Sequence, residues 1–321
     1  MHFETVPPGR GRAAARRRWP IVALVIACTA VLAVLAAGAP VPPRLRPPAA
    51  APAGAPAAAP SPAPSPAPRP SPVPGAAERA ELTRALDAYL DERPGSVSLA
   101  VRDASGEVSY DYGDGLRTAT ASIVKVNIVM ALLLRAQRAG RPLTRAERDL
   151  AERAVTVSDN DAASALWRTI GGAEGLAAAN EDLGPRDTAP GPGGFWGSTT
   201  TSAADQAELL TALVSPASPL SAPNRRYVRD LMAGVVPAQA WGVSAAADPS
   251  AEPVLKNGWL PRDAHGGRWT INSIGLVRAA GRLLLIAVLS ERHPSMRAGI
   301  ETVERAARTV TAALDRPHEH R

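Results

Sequence analysis

Apolar and polar positions change period several times along this chain, and each change marks an element. Residues 77–90 carry a helical repeat closed by Pro94 and Gly95. Residues 96–102 and 107–112 alternate like two strands, with Ala104, Ser105 and Gly106 as the turn between them. From Val126 to Leu134 the chain is apolar nearly all round, which predicts a helix sunk in a core. Gly140 and Pro142 then supply its stop signal. Residues 143–154 read as a charged amphipathic helix, and 161–170 and 173–180 as shorter helices broken at Gly171 and Gly172. Residues 184–197 are rich in glycine and proline and predict a loop. Ser202 with Asp205 three positions on predicts a capping box ahead of a helix over 206–214. A further helix is expected at 224–232, strands at 253–256, 269–277 and 283–289, and a closing helix at 296–314. Strands at both ends with helices between them predict an α+β domain.

Ahead of this domain the pattern is different. Residues 1–18 are basic, with Arg10, Arg12, Arg16, Arg17 and Arg18, and 19–41 form an uncharged apolar run. About 20 such residues can cross a bilayer, and flanking arginines stay cytoplasmic. A retained signal anchor is the preferred reading. A secretory signal cut near Ala37-Gly38-Ala39 and a lipoprotein box ending at Cys28 stay open, and all three export the rest of the chain. Residues 42–75 predict a disordered stalk. Between 40 and 75 stand fifteen prolines, a composition that cannot bury a core and favours polyproline II. The domain itself is expected over 76–321, anchored outside the cytoplasm.

Composition changes the picture at three points. The net charge of +6 arises in residues 1–75, which sum to +7; residues 76–321 sum to −1, so the basic balance is no argument for a nucleic-acid partner. With Cys28 as the sole cysteine and five histidines in no ligand spacing, no disulfide, metal or cofactor is expected. Of the 36 basic residues only two are lysines, Lys125 and Lys256. Arginine keeps its proton inside a protein, whereas a desolvated lysine can lose it and act as a base.

The lysines fall in short motifs. Ser122-x-x-Lys125 opens the apolar helix, with serine and lysine on one face and within touching distance. Ser158-Asp159-Asn160 precedes a helix, and Lys256-Asn257-Gly258 ends a strand. Serine is a poor nucleophile until a base takes its proton. Lys125 can serve if Lys256, a second cation, keeps its pKa low, while Ser158 can relay a proton. Asp159 reads as a helix cap in either case. The three motifs in this order resemble the class A serine β-lactamases and penicillin-binding proteins over about residues 76–315. That resemblance implies an antiparallel sheet flanked by helices plus an all-α subdomain, catalytic roles for Ser122, Lys125, Ser158 and Lys256, and substrate contacts from Asn160, Asn257 and Gly258. It also implies backbone oxyanion donors at Ser122 and Trp259. Trp196 is a candidate cleft-lining residue, and Arg268 and Asn272 are candidate carboxylate binders.

The chain departs from that family in three ways. The family's deacylating loop glutamate is missing from 184–197, where Asp187 is the one carboxylate. Asn257 stands where the family carries threonine or serine. Ser122 and Ser158 are only 36 positions apart, so an insertion that walls the family's cleft is absent. The expectation is a monomeric serine hydrolase that acylates on small-molecule or peptidoglycan-derived substrates and releases β-lactams slowly. A β-lactamase that deacylates through Asp187 or a water on Ser198 and Thr199, and a non-catalytic sensor domain, are the alternatives.

Overall fold

The computed structural model describes residues 75–314 apart from residue 280. The basic tail, the apolar run, nearly all of the expected stalk and the histidines at 318 and 320 lie outside the described residues. No described helix is long and apolar enough to cross a membrane.

In chain order, helix α1 (Ala76–Leu90) leads into strands β1 (Ser96–Asp103), β2 (Ser109–Tyr112) and β3 (Thr118–Ala119). A 3-10 turn, Ala121–Ile123, then opens α2 (Val124–Arg138), followed by α3 (Arg145–Thr156), α4 (Asn160–Ile170) and α5 (Gly172–Leu183). Next come β4 (Thr200–Thr201), α6 (Ala203–Val214) and α7 (Ala222–Ala233). Strands β5 (Val254–Arg262), β6 (Arg268–Ala279) and β7 (Arg282–His293) and helix α8 (Met296–Leu314) complete the domain.

Five strands form one antiparallel sheet in the order β2-β1-β7-β6-β5, and β3 pairs with β4 beside it. The central strand β7 shows how the sheet divides the interior. Its Leu284, Ile286 and Val288 face a core with α1 and α8, while Leu285, Ala287 and Leu289 face the core of α2 to α7. Side chains alternate across a strand, so a strand buried on both faces reads as a continuous apolar run. Helix α2 is buried on every side, from Val124 through Leu134, as its sequence predicts.

Two expectations change. Strand β5 runs on to Arg262, through Pro261. It is an edge strand, where a missing N–H costs no ladder bond on the open side. The capping box at Ser202 forms only by half. Ser202 Oγ accepts from Asp205 N at 3.1 Å, but the Asp205 carboxylate turns instead to the N–H groups of Arg186 and Asp187 and the Thr188 hydroxyl. There it anchors the start of the 184–197 loop.

Candidate functional site

Ser122 sits in the 3-10 turn rather than within α2, and three hydrogen bonds hold that turn. Ala121 has φ +48, a conformation non-glycine residues adopt at a cost of about 1–3 kcal/mol, so the surroundings must enforce it. Asn272, fully buried on β6, donates to the carbonyls of Ala119 and Thr120 at 2.8 and 3.1 Å. Its own oxygen accepts from Ser290 N. From the other side, Thr120 N donates to Thr199 O at 2.7 Å. Asn272 is therefore a bracket for the serine turn, not a carboxylate binder.

Gly258 completes the enclosure. A Cβ on it would lie 2.6 Å from Thr120 O, 2.8 Å from Ser122 N and 2.9 Å from Ile123 N, all backbone atoms. The glycine thus makes room for the turn itself, and puts β5 directly against the amide of Ser122. Trp259, the other expected oxyanion donor, follows on the same strand.

Lys125 has no solvent exposure. Its Nζ donates to Ser158 O at 2.6 Å, Ser158 Oγ at 3.0 Å and Asn160 Oδ1 at 2.8 Å. The expected direct contact with Ser122 is not among its hydrogen bonds, because the ammonium is drawn toward these three acceptors. Ser158 reaches it from a backbone with φ +59, another strained position. Between the two contacting residues, Asp159 caps α4 through Ala162 N at 2.9 Å and pairs with Arg153. The tripeptide is both a helix cap and a lysine clamp.

Lys256 is equally enclosed and donates to Asn257 O at 2.9 Å. Burial brings its pKa down to about 7, and the positive charge of Lys125 pushes the same way. Burial also lowers Lys125, to about 8, against the opposing pull of the Asp159 carboxylate. The second cation was expected to depress Lys125; desolvation is the larger cause, and the repulsion is felt at Lys256.

Three further placements differ from expectation. The Asn257 amide donates to Gln239 O and Trp241 O, both at 2.8 Å, and is fully buried, so it offers nothing to a substrate carboxylate. Arg268 lies at the far end of the β5–β6 pairing opposite Arg262, four registers from Gly258, and donates to Arg292 O. Asp187 pairs with Arg117 on the surface. No loop carboxylate contacts Lys125; the ring of Trp196 does, 4.9 Å from Nζ. Trp196 is pinned through Nε1 to Ser164 Oγ at 3.1 Å, and Trp167 holds the same loop through Gly193 O at 2.9 Å. The two exposed large apolar side chains of the described residues, Val157 and Phe195, immediately precede Ser158 and Trp196.

A helical lobe carrying a serine turn, packed on an antiparallel sheet whose edge strand brings up a buried lysine, is the fold of the serine β-lactamases and penicillin-binding proteins. The TLA-1 extended-spectrum β-lactamase superposes with a TM-score of 0.67 at 15% identity, over 74% of this chain and 100% of its own. An acyl-enzyme complex of a PBP-A variant with penicillin G gives 0.63 at 20% identity, over 74% and 97%. A class A β-lactamase from Bacteroides cellulosilyticus gives 0.65 at 14%, over 74% and 98%. At these identities the likeness establishes the fold alone. The sequence profile described as the β-lactamase enzyme family matches residues 145–314, more than half of the chain, and the chain belongs to that family. The matched stretch contains Ser158 and Lys256 and begins after Ser122 and Lys125. No curated protein matches the sequence.

Proposed function

We propose that this protein is an exported serine hydrolase that forms an acyl-enzyme on Ser122 from an amide or ester, and that β-lactams leave it slowly. The observation that carries the reading is the meeting of three distant segments. Lys125 is gripped by Ser158 and Asn160, and Gly258 is pressed on Ser122 N, with Lys256 electrostatically coupled to Lys125. Ser122 Oγ attacks the acyl carbon. Its proton passes to a lysine amine, directly or over Ser158 Oγ, and then to the leaving group. Both lysines lie near neutral pKa, where a base combines availability with strength. The backbone amides of Ser122 and Trp259 receive the developing oxyanion. Asn160, which has an unspent amide donor, meets the substrate amide.

Slow deacylation follows from the loop. Its carboxylate is engaged by Arg117, and an indole face, which cannot activate water, lies on Lys125. The apolar lips at Val157 and Phe195 suit a peptide or ester bearing apolar groups. Such a substrate can come from cell-wall peptide. The domain is placed outside the membrane by an anchor at 19–41 and a stalk over 42–75, and works as a monomer.

Intact-mass measurement after exposure to penicillin tests this reading. A persistent adduct on wild type, absent from Ser122→Ala, is expected. Rapid turnover with no lasting adduct would instead indicate a β-lactamase with another deacylating group, a water held by Ser198 and Thr199 being the remaining candidate. An unlabelled wild type that still binds would indicate a recognition domain.

A further inference from the structure

We propose that the segment from Val236 to Val243 is a strap that sets the separation of the two lysine-bearing halves of the site, with Gln239 and Asn257 as its positioning residues. The inference rests on the acyl-enzyme reading for its effect on rate, but not for its effect on Lys256.

The strap is tied at both ends. Toward the helical lobe, Val236 N donates to Thr156 O at 3.1 Å and Gln239 Nε2 donates to Val157 O at 3.1 Å. These are the two residues leading into Ser158, so the strap fixes the approach to the Lys125 clamp. Toward the sheet, the Asn257 amide donates to Gln239 O and Trp241 O, and Val243 N donates to Ser273 Oγ at 2.9 Å. Asn257 and Ser273 face each other across β5 and β6. One short segment thus joins the second motif to the third.

Its geometry leaves little slack. Gly242 has φ +88, and a Cβ there would strike the Ser273 side chain and lie 3.2 Å from Asn257 Oδ1. Gln239 Oε1 and Asn257 Oδ1 are both buried without partners. The amide N–H donors therefore fix these side chains, and turning either amide would set oxygen against oxygen. Threonine at 257 has one hydroxyl donor and cannot hold two carbonyls.

The strap reaches Lys256 through two tryptophan rings. Trp241 packs edge-on against Trp259 at 5.8 Å, and the Trp259 ring lies 6.0 Å from Lys256 Nζ. Lys256 is opposite Ile274 on β6. The charged group acting on it is Lys125 from α2, with Asp159 acting in turn on Lys125. Loosening the strap admits water to Lys256, which favours its charged form and raises its pKa from about 7.

The presence of only two lysines makes this directly readable. The full chain is labelled with 13C-lysine, and the two side-chain signals are assigned with Lys125→Arg and Lys256→Arg. They are titrated by NMR in wild type, Gln239→Met, Asn257→Thr and the double variant. Acylation by a fluorescent penicillin is followed in parallel from pH 5 to 10. The Lys256 midpoint is expected to rise in both single variants. Each single variant should lose on the order of 10–100-fold in acylation rate. The double variant should lose little more than either, because both cuts release one strap. An unmoved Lys256 midpoint, an unchanged rate, or losses that multiply in the double variant would each overturn the strap. If wild type takes no label on Ser122, the acyl-enzyme reading falls, and the titration still decides the strap.

Discussion

Lys125 and Lys256 are the same residue type and both closed to solvent, yet the two regions hold them in opposite ways. The helical side surrounds Lys125 with three oxygen acceptors and places a carboxylate, Asp159, within electrostatic reach. The sheet side gives Lys256 a single carbonyl acceptor and exposes it to the charge of Lys125. The first region compensates a buried charge, and the second penalises one. Burial is the larger cause at both lysines, and the nearest charge opposes it at Lys125 and adds to it at Lys256, in the order about 8 against about 7. The difference teaches that the nearest charge modulates what burial does to an amine: a carboxylate offsets it and a second ammonium adds to it.

Removing the exchangeable proton on the helical side is the largest perturbation. Lys125→Arg keeps a cation and its donors but cannot act as a base. Acylation of Ser122 should fall by about 10²–10⁴-fold, measured by stopped-flow with fluorescent penicillin, and its dependence on Lys125 ionisation should vanish. A variant that retains wild-type rate would show that Lys125 only clamps the Ser158 loop.

Gly258→Ala attacks the seam between the two regions. The added Cβ meets backbone atoms of residues 120, 122 and 123, which cannot swing aside. Displacement of the Ser122 amide should cost about 10²–10³-fold in acylation. The Lys125 NMR titration should change less than the rate, because its acceptors lie on the other side. An alanine variant with normal rate would mean that the strand does not set the serine turn.

How much of this was readable beforehand depends on the range of the interactions. The helices and the central strands announce themselves in local periodicity, and so do Ser122, Lys125, Ser158 and Lys256, because motif spacing is local. The role of Asn272 is not legible: nothing near it in sequence signals that its partners are the carbonyls of residues 119 and 120. Asn257 misled for the same reason, since its amide is claimed by a segment 16 and 18 positions away. Asp205 reads as half of a local cap, while its carboxylate serves a loop that precedes it by 17 to 19 positions. The strand beyond Lys256 is hidden by Pro261, whose tolerance depends on β5 being an edge.

The sheet side predicts a stability effect in the opposite direction to activity. Lys256→Met removes a penalised charge and keeps an unbranched chain, so at pH 7 the protein should gain about 1–4 kcal/mol in urea unfolding while losing acylation. The sign of the pH dependence is fixed by the lowered pKa. From about pH 7 to 10.5 the unfolded chain binds more protons at this residue than the folded one, so stability rises with pH in that window. The Met variant should lose that rise. A variant less stable than wild type at pH 7 would mean that the Lys256–Asn257 carbonyl bond outweighs desolvation.

Asp159→Asn makes the smallest change and isolates the carboxylate that distinguishes the two regions. Asparagine caps a helix as well as aspartate, so α4 should keep its start and its Ala162 contact. What is lost is the partly exposed pair with Arg153, worth about 0–1 kcal/mol. The Asp159 charge pulls Lys125 upward against burial. Without it the Lys125 pKa falls, a larger fraction of the amine is neutral at pH 7, and the acid limb of acylation moves to lower pH. The lysine NMR titration should report a lower Lys125 midpoint, and the Lys256 midpoint should rise, because a less charged Lys125 repels it less. A shift of both midpoints in the same direction would break the picture of one compensated and one penalised amine.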